Sequence, residues 1–500
     1  MIISPPFSLE KPWLGQRAAM SPDDPAIFCG SEIVSFRQLY ERSLLRAETL
    51  KSLGVGRGDI IASLLENGLC SVELFHAAQL SGVTLLPLNA RLTAVEAAFQ
   101  LDEARPKILH AEGEDLLRLA TEVCEKLVDP PLLLTDSGYG KSPLAPGKIQ
   151  NFMEEVPWAI LYTSGTTGRP KGVPLTVRHF GFSAMASLSH LGIKKDDRWL
   201  ACVPLFHIAG LSILTKSVLS GAGVVLHNRF DAGAVSEALE TQHITLMSLV
   251  PTMLYRLIEV RLGCNRTTAP FLRAVLVGGA SCSEELHQKS LDIGIPVLRT
   301  YGLTEACSQV ATVPPADDFD KPSLLPEPLQ GVEIKIVNDD GEPLGPCQEG
   351  EILVRGGMVM DHYFNRVEES AKILKNGWLH TGDIGFLDKQ GGLCVLSRRS
   401  DLIVSGGENI YPAEVEACLS LHPVVEDVCV SGEDDPEFGQ RVVAWVVLRV
   451  GEEVSEEGLQ LYCRESLAGY KIPRRVVILK QLPRNASGKI MKAHLKSIRL

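Results

Sequence analysis

Short apolar runs recur along the chain, separated by longer stretches in which apolar residues return every three or four positions. Residues 59–65 and 82–88 are such runs, and residues 35–53 carry the helical spacing. This alternation predicts an α/β fold, with strands buried beneath covering helices. A Pro-, Gly- and Ser-rich connector at residues 129–148 leads to another run, Trp158-Ala159-Ile160-Leu161-Tyr162, which predicts a buried strand. The rhythm resumes at residues 199–204, 224–227, 232–241 and 274–279 and predicts a second wound sheet.

From about Val313 the pattern shortens to strand-sized runs split by turns, as at Val332–Val337 and Gly350–Arg355, which predicts a β-rich subdomain over about residues 313–399. From about Asp401 a compact α+β piece follows, with helices expected at residues 413–421 and 455–468 and strands at 424–431 and 442–448. The expected architecture is therefore α/β with an α+β C-terminal domain. Residues 1–399 form a large N-terminal domain of two wound sheets plus a small β-barrel-like subdomain, and residues 400–500 form the second domain.

Composition narrows the function classes. Of 500 residues, 45% are hydrophobic and 22% charged, the make-up of a folded globular chain. Acidic residues number 61 against 49 basic ones, and the net charge of −12 disfavours nucleic acid and anionic membrane as partners. No apolar run reaches the roughly 18 residues that span a bilayer. Met1-Ile2-Ile3-Ser4-Pro5-Pro6 lacks the basic start of an export signal, so a cytoplasmic location is expected. The 12 cysteines form no C-x-x-C pair and the 12 histidines no H-E-x-x-H, so the sequence signals neither zinc nor a disulfide framework.

The strongest chemical signal follows the strand at Trp158. Thr163-Ser164-Gly165-Thr166-Thr167-Gly168-Arg169-Pro170-Lys171-Gly172 combines hydroxyls, glycines and one cation. Glycines let backbone N–H groups converge on one anion, and Lys171 adds a point charge, so the loop suits the phosphates of ATP. Gly165 and Gly168 are too close for a Walker A loop, and no Ser or Thr follows Lys171. A Gly- and Thr-rich stretch is more often a plain surface loop, but a buried strand feeding it favours the nucleotide.

Four further clusters follow in order. They are Tyr301-Gly302-Leu303-Thr304-Glu305-Ala306, Gly377-Trp378-Leu379-His380-Thr381-Gly382-Asp383 with Arg398, Ser405-Gly406-Gly407-Glu408-Asn409, and Pro483-Arg484-Asn485-Ala486-Ser487-Gly488-Lys489. Singly, each has an ordinary reading as a helix start, a turn, a capped loop or a surface lysine. Together with the phosphate loop they make the whole chain resemble the adenylate-forming superfamily of acyl-CoA synthetases, adenylation domains and luciferases.

That resemblance implies roles. Residues 163–168, Lys171, Gly279 and Ala280 would line the nucleotide site, with Tyr301 against adenine. Asp383 and Arg398 would hold ribose. Thr304 would meet the α-phosphate or acyl carboxylate, Glu305 would hold Mg²⁺, and Lys489 would stabilise the adenylation step. Ser400 would be the hinge of a mobile C-terminal lid, and Gly406 and Gly407 would line a channel for coenzyme A. The chain ends shortly after Lys489, so free CoA is the expected acceptor rather than a fused carrier domain. Basic residues from Lys471 to Arg499 read as a solvated face, part of which would meet CoA phosphates. Oligomeric state is left open, a homo-oligomer included.

The run from Trp199 through Pro204-Leu205-Phe206-His207 to Leu214, with Phe230-Asp231-Ala232, narrows the resemblance to the o-succinylbenzoate–CoA ligases. His207 would gate the acyl tunnel, or serve as a hydrogen-bonded core residue. The acid's second carboxylate needs a donor, for which Thr252, Arg256 and Arg299 are candidates. Another aryl, medium-chain or fatty acyl-CoA synthetase would share every ATP motif, and a nucleotide-binding regulator without catalysis is the alternative from outside enzymes.

Overall fold

The apolar runs assemble into two wound sheets that share one layer of helices. The computed structural model describes residues 8, 11–135, 156–163, 170–266, 269–279, 282, 284–315, 325–397, 402–483, 490, 492 and 495. The first sheet has six strands, of which Ile60–Leu64, Thr84–Pro87, Ile108–Ala111, Leu132–Leu134 and Pro157–Thr163 run parallel. Lys171–Thr176 closes one edge antiparallel to Pro157–Thr163, so the phosphate loop leaves one strand of a hairpin and returns on the other.

The second sheet has nine strands. Its parallel centre is Arg198–Ala201, Gly223–Leu226, Leu246–Leu249, Ala274–Val277 and Val297–Leu303. The N-terminal hairpin, Pro25–Cys29 with Glu32–Ser35, joins this sheet rather than the first, through parallel pairing with Gly223–Leu226. Sequence order is thus not sheet order, a long-range pairing that local periodicity does not carry.

Helices Leu69–Ser81, Val177–Leu191 and Ile208–Ser220 lie between the sheets and are apolar on nearly every side. Strand residues alternate between this shared core and the outer faces. Leu85 points to the shared core and Leu86 away from it, and Ala201 and Leu200 divide in the same way. Phe75 stacks on Trp158 with centroids 4.2 Å apart, and the Trp158 indole N–H donates to the Phe75 carbonyl at 2.8 Å. The covering helix Phe36–Ser52 begins where the 35–53 spacing predicts, with Ser35 and Gln38 forming a capping box.

The β-rich stretch is a five-stranded antiparallel sheet built from Val332–Val337, Gly350–Gly356, Leu374–Lys375, Trp378–Leu387 and Leu393–Ser397. Its inner residues Ile336, Ile352 and Leu379 join the shared core. Residues 402–483 carry a separate five-stranded sheet with its own apolar clusters on two faces. The hairpin Val425–Asp435 with Gly439–Leu448 is longer than the apolar runs suggest, because polar pairs such as Glu433 opposite Arg441 extend it. The expected 455–468 helix stops at Arg464 and gives way to a short 3₁₀ turn, Gly469–Lys471. The expected boundary at Ser400, and most of the connector, lie outside the described residues. Among those residues no helix is long and apolar enough to cross a membrane.

Candidate active site

A cavity of about 300 Å³ opens where the two wound sheets, the antiparallel sheet and the C-terminal sheet meet. Thr163, His207, Gly279, Thr304, Glu305, Asp383, Gly406 and Gly407 all line it, so residues spread over most of the chain converge. Ser164 to Gly168, Ala280, Arg398, Ser400 and Lys489 fall outside the described residues.

Local backbone irregularities aim the polar groups. Leu353 pairs with His380 but Glu351 pairs with Ile384, so Thr381-Gly382-Asp383 forms a bulge, with Gly382 at φ +73°. The Thr381 hydroxyl donates to the Ile352 carbonyl at 2.6 Å and accepts from the Asp383 N–H at 3.1 Å. Asp383 accepts from the Tyr301 hydroxyl at 2.6 Å. Tyr301 is buried within strand Val297–Leu303 rather than after it, and it lies beneath the cavity instead of lining it. Its hydroxyl fixes the carboxylate that faces the site.

Thr304-Glu305-Ala306 forms a 3₁₀ turn directly after that strand. The Glu305 Oε1 accepts from the Tyr363 hydroxyl at 2.7 Å. Lys171 is largely buried, with its Nζ 2.6 Å from Glu369 Oε2 and 5.2 Å from the centre of the Tyr363 ring. Lys171, Glu369, Tyr363 and Glu305 therefore form one chain of contacts that ends at the cavity wall. A hard divalent cation takes one or two carboxylates and completes its shell with phosphate and water oxygens. Glu305 fits that role, and among the described residues no cluster of three or more His, Cys, Asp or Glu offers a closed metal cage.

His207 precedes helix Ile208–Ser220 and is not a core residue: its side chain is 40% exposed, with Nε2 3.5 Å from Glu408 Oε2. Glu408 also pairs with Arg91 at 3.0 Å. Burial pushes the Glu408 carboxyl up, but His207, Arg91 and Lys471 outweigh it and hold the group below its ordinary value. Gly407, at φ +84°, packs so closely that an added Cβ would stand 2.8 Å from Val250 Cγ2.

One residue that the motifs do not mark stands in the cavity wall. Lys216 lines the cavity and is 2% exposed, the one charged residue of helix Ile208–Ser220. Its Nζ donates to Gln309 Oε1 at 2.8 Å and to Ser212 Oγ at 3.4 Å, and sits 4.9 Å from the Trp199 ring centre. Among the described residues no carboxylate pairs with it, and burial pushes its pKa down to about 7. The only sequence signal was one lysine inside an apolar helical run. Neither Thr252, Arg256 nor Arg299 lines the cavity; Arg256 pairs with Glu437 at 2.8 Å and Arg299 with Glu284 at 3.0 Å. Lys471, expected on a solvated face, is instead buried against two carboxylates.

The AMP-binding enzyme family matches residues 14–364, and its C-terminal domain family matches residues 414–489. The chain belongs to the AMP-binding enzymes. Among similar members is a 2-succinylbenzoate–CoA ligase of Bacillus subtilis, 41% identical over 488 residues that cover 97% of this chain and 98% of the relative. The chain also superposes with a TM-score of 0.90, at 39% identity and 98% coverage of both chains, on a double mutant of the B. subtilis o-succinylbenzoate CoA synthetase bound to a product analogue. On the same synthetase in complex with its acyl-adenylate intermediate, the TM-score is 0.73 at 40% identity and equal coverage. Thr304, Glu305 and Asp383 converge in one cleft.

Proposed function

We propose that the chain joins o-succinylbenzoate to coenzyme A, using ATP and releasing AMP and pyrophosphate through an acyl-adenylate. The observation that carries this reading is Lys216. A buried ammonium with only neutral partners is costly until an anion neutralises it. Its place in the wall of the cavity that Thr304 and Asp383 also line suits an acid with two carboxylates, one activated and one held at Lys216. A fatty acid would place a methyl group there.

The reaction follows from the residues. A carboxylate is a poor electrophile, so its oxygen first displaces pyrophosphate from the α-phosphorus of ATP. Asp383, fixed by Tyr301, accepts the ribose hydroxyls, and Thr304 donates to the α-phosphate or carboxylate. Lys171 and the amides of Gly165 to Gly168 neutralise the departing pyrophosphate, with Lys489 at the attacking oxygen. Glu305 would hold Mg²⁺, which would supply charge neutralisation there. The CoA thiol then attacks the acyl carbon and AMP leaves. Gly406 and Gly407 line the thiol's approach in the arrangement seen here, which the superposition on the product-analogue complex supports.

Free CoA as acceptor and a cytoplasmic location belong to the same proposal, as do a nucleotide- and acid-binding unit of residues 1–399 and a mobile unit of residues 400–500 with Ser400 as hinge. Pyrophosphate release from MgATP with o-succinylbenzoate, benzoate, octanoate and malonate, each with and without CoA, tests the reading. Preferential release with o-succinylbenzoate, together with its CoA thioester, is expected. Preference for another acid overturns the substrate and keeps the reaction type.

A further inference from the structure

Away from the reacting groups, one buried cation joins the C-terminal sheet to the first wound sheet. Lys471 Nζ donates to Glu96 Oε1 and to Glu414 Oε1, each at 2.7 Å. The three side chains are 3%, 7% and 10% exposed. Glu96 belongs to helix Ala94–Ala104 over the first sheet, whereas Glu414 and Lys471 belong to the C-terminal unit. Nearby, the Thr93 hydroxyl reaches the Ser466 carbonyl at 3.4 Å.

We propose that Lys471, shared between Glu96 and Glu414, is a releasable latch that selects this arrangement of the C-terminal unit and so positions the chain for thioester formation. This rests on the two-step reaction proposed above, but not on which acid is used.

Release is feasible because neither charge is stranded by it. Glu96 Oε2 accepts from the Thr93 N–H at 2.9 Å and from the Thr93 hydroxyl at 2.8 Å, in a capping box at a helix start that favours negative charge. Lys471 keeps Glu414 within its own unit. Separation therefore breaks one short charge-assisted bond, exposes Glu96 to water and leaves a neutral pair behind. A buried charge without a second partner would instead make docking nearly irreversible. The related synthetase superposes at 0.90 in one complex and 0.73 in another at equal coverage, a contrast consistent with two arrangements of the same units.

Glu96→Gln isolates the latch. Glutamine retains the capping box, and Glu96 is not among the residues lining the cavity, so fold and nucleotide site are preserved. Single-turnover rates of pyrophosphate release and of CoA-dependent consumption of the acyl-adenylate are measured on the full chain, with whichever acid the wild type activates. Glu96→Gln should slow the second rate about tenfold, the loss expected for a bond to a charged group, and leave the first rate and the thermal midpoint unchanged. Equal slowing of both rates, or no change in the second, overturns it. Wild-type pyrophosphate release reports separately on the reaction itself, so the two failures are distinguishable.

Discussion

Tyr301 and Asp383 lie 82 residues apart on different sheets and meet through a 2.6 Å hydrogen bond. In the proposed reading Asp383 accepts two ribose hydroxyls, which needs a fixed orientation, and the phenol supplies it. Tyr301→Phe removes that bond and keeps the ring. The loss, about 1.5–3 kcal/mol for a bond to a charged group, should lower kcat/KM for ATP roughly 10- to 150-fold while KM for the acid changes little. Steady-state kinetics against each substrate checks the split.

The contact of Lys171 with Glu369 makes a second expectation. In the proposed reading phosphate draws the Lys171 ammonium from a carboxylate that already neutralises it. Glu369→Gln removes that internal competitor, and KM for ATP should fall by roughly threefold to tenfold, a change within the range for exposed to half-buried ion pairs. Titration of pyrophosphate release against MgATP measures it, and a raised KM contradicts it.

Gly407 should matter to one half-reaction more than the other. Its contact with Val250 occurs in this arrangement, and a Cβ would meet Val250 Cγ2 at 2.8 Å. Gly407→Ala should slow thioester formation from preformed acyl-adenylate and spare pyrophosphate release. Val250→Ala in the same chain should restore part of the rate, since the space returns while the strain at φ +84° stays. Rapid-quench measurement of the two steps separates them.

That Thr304, Glu305 and Asp383 share one cavity was legible in the sequence because contiguous motifs carry them. Thr304-Glu305 and Thr381-Gly382-Asp383 each bring their own turn or bulge with them. Lys216 and Lys471 were not legible for the opposite reason. Their meaning lies in what surrounds them in space: Gln309 lies far along the chain from Lys216, and Glu96 far from Lys471. A lysine in an apolar helix, or in a basic tail, carries no local mark of burial. The N-terminal hairpin shows the same limit at the level of the fold, since periodicity marked strands but not which sheet they join.

Acidity should report on Lys216. Burial lowers its pKa from 10.5 to about 7, with only a smaller opposing effect from Cys307. In the free protein the ammonium is therefore lost above about pH 7, and kcat/KM for a two-carboxylate acid should fall toward tenfold per unit above that point. Stability moves the other way. Between pH 7 and 10.5 the unfolded chain binds more protons at this residue than the folded one, so its contribution to stability rises with pH. The difference in unfolding midpoint between Lys216→Met and the wild type should narrow as pH rises from 7 toward 10, and a widening gap contradicts the assignment.

The most direct measurement compares kcat/KM for o-succinylbenzoate with that for 4-oxo-4-phenylbutanoate, the same skeleton without the ring carboxylate, in the wild type and in Lys216→Met. Removing one member of a buried charge pair costs about 2–5 kcal/mol, so the wild-type preference for the diacid should collapse by roughly 30-fold or more while turnover of the monoacid persists. An unchanged preference in Lys216→Met would contradict the account.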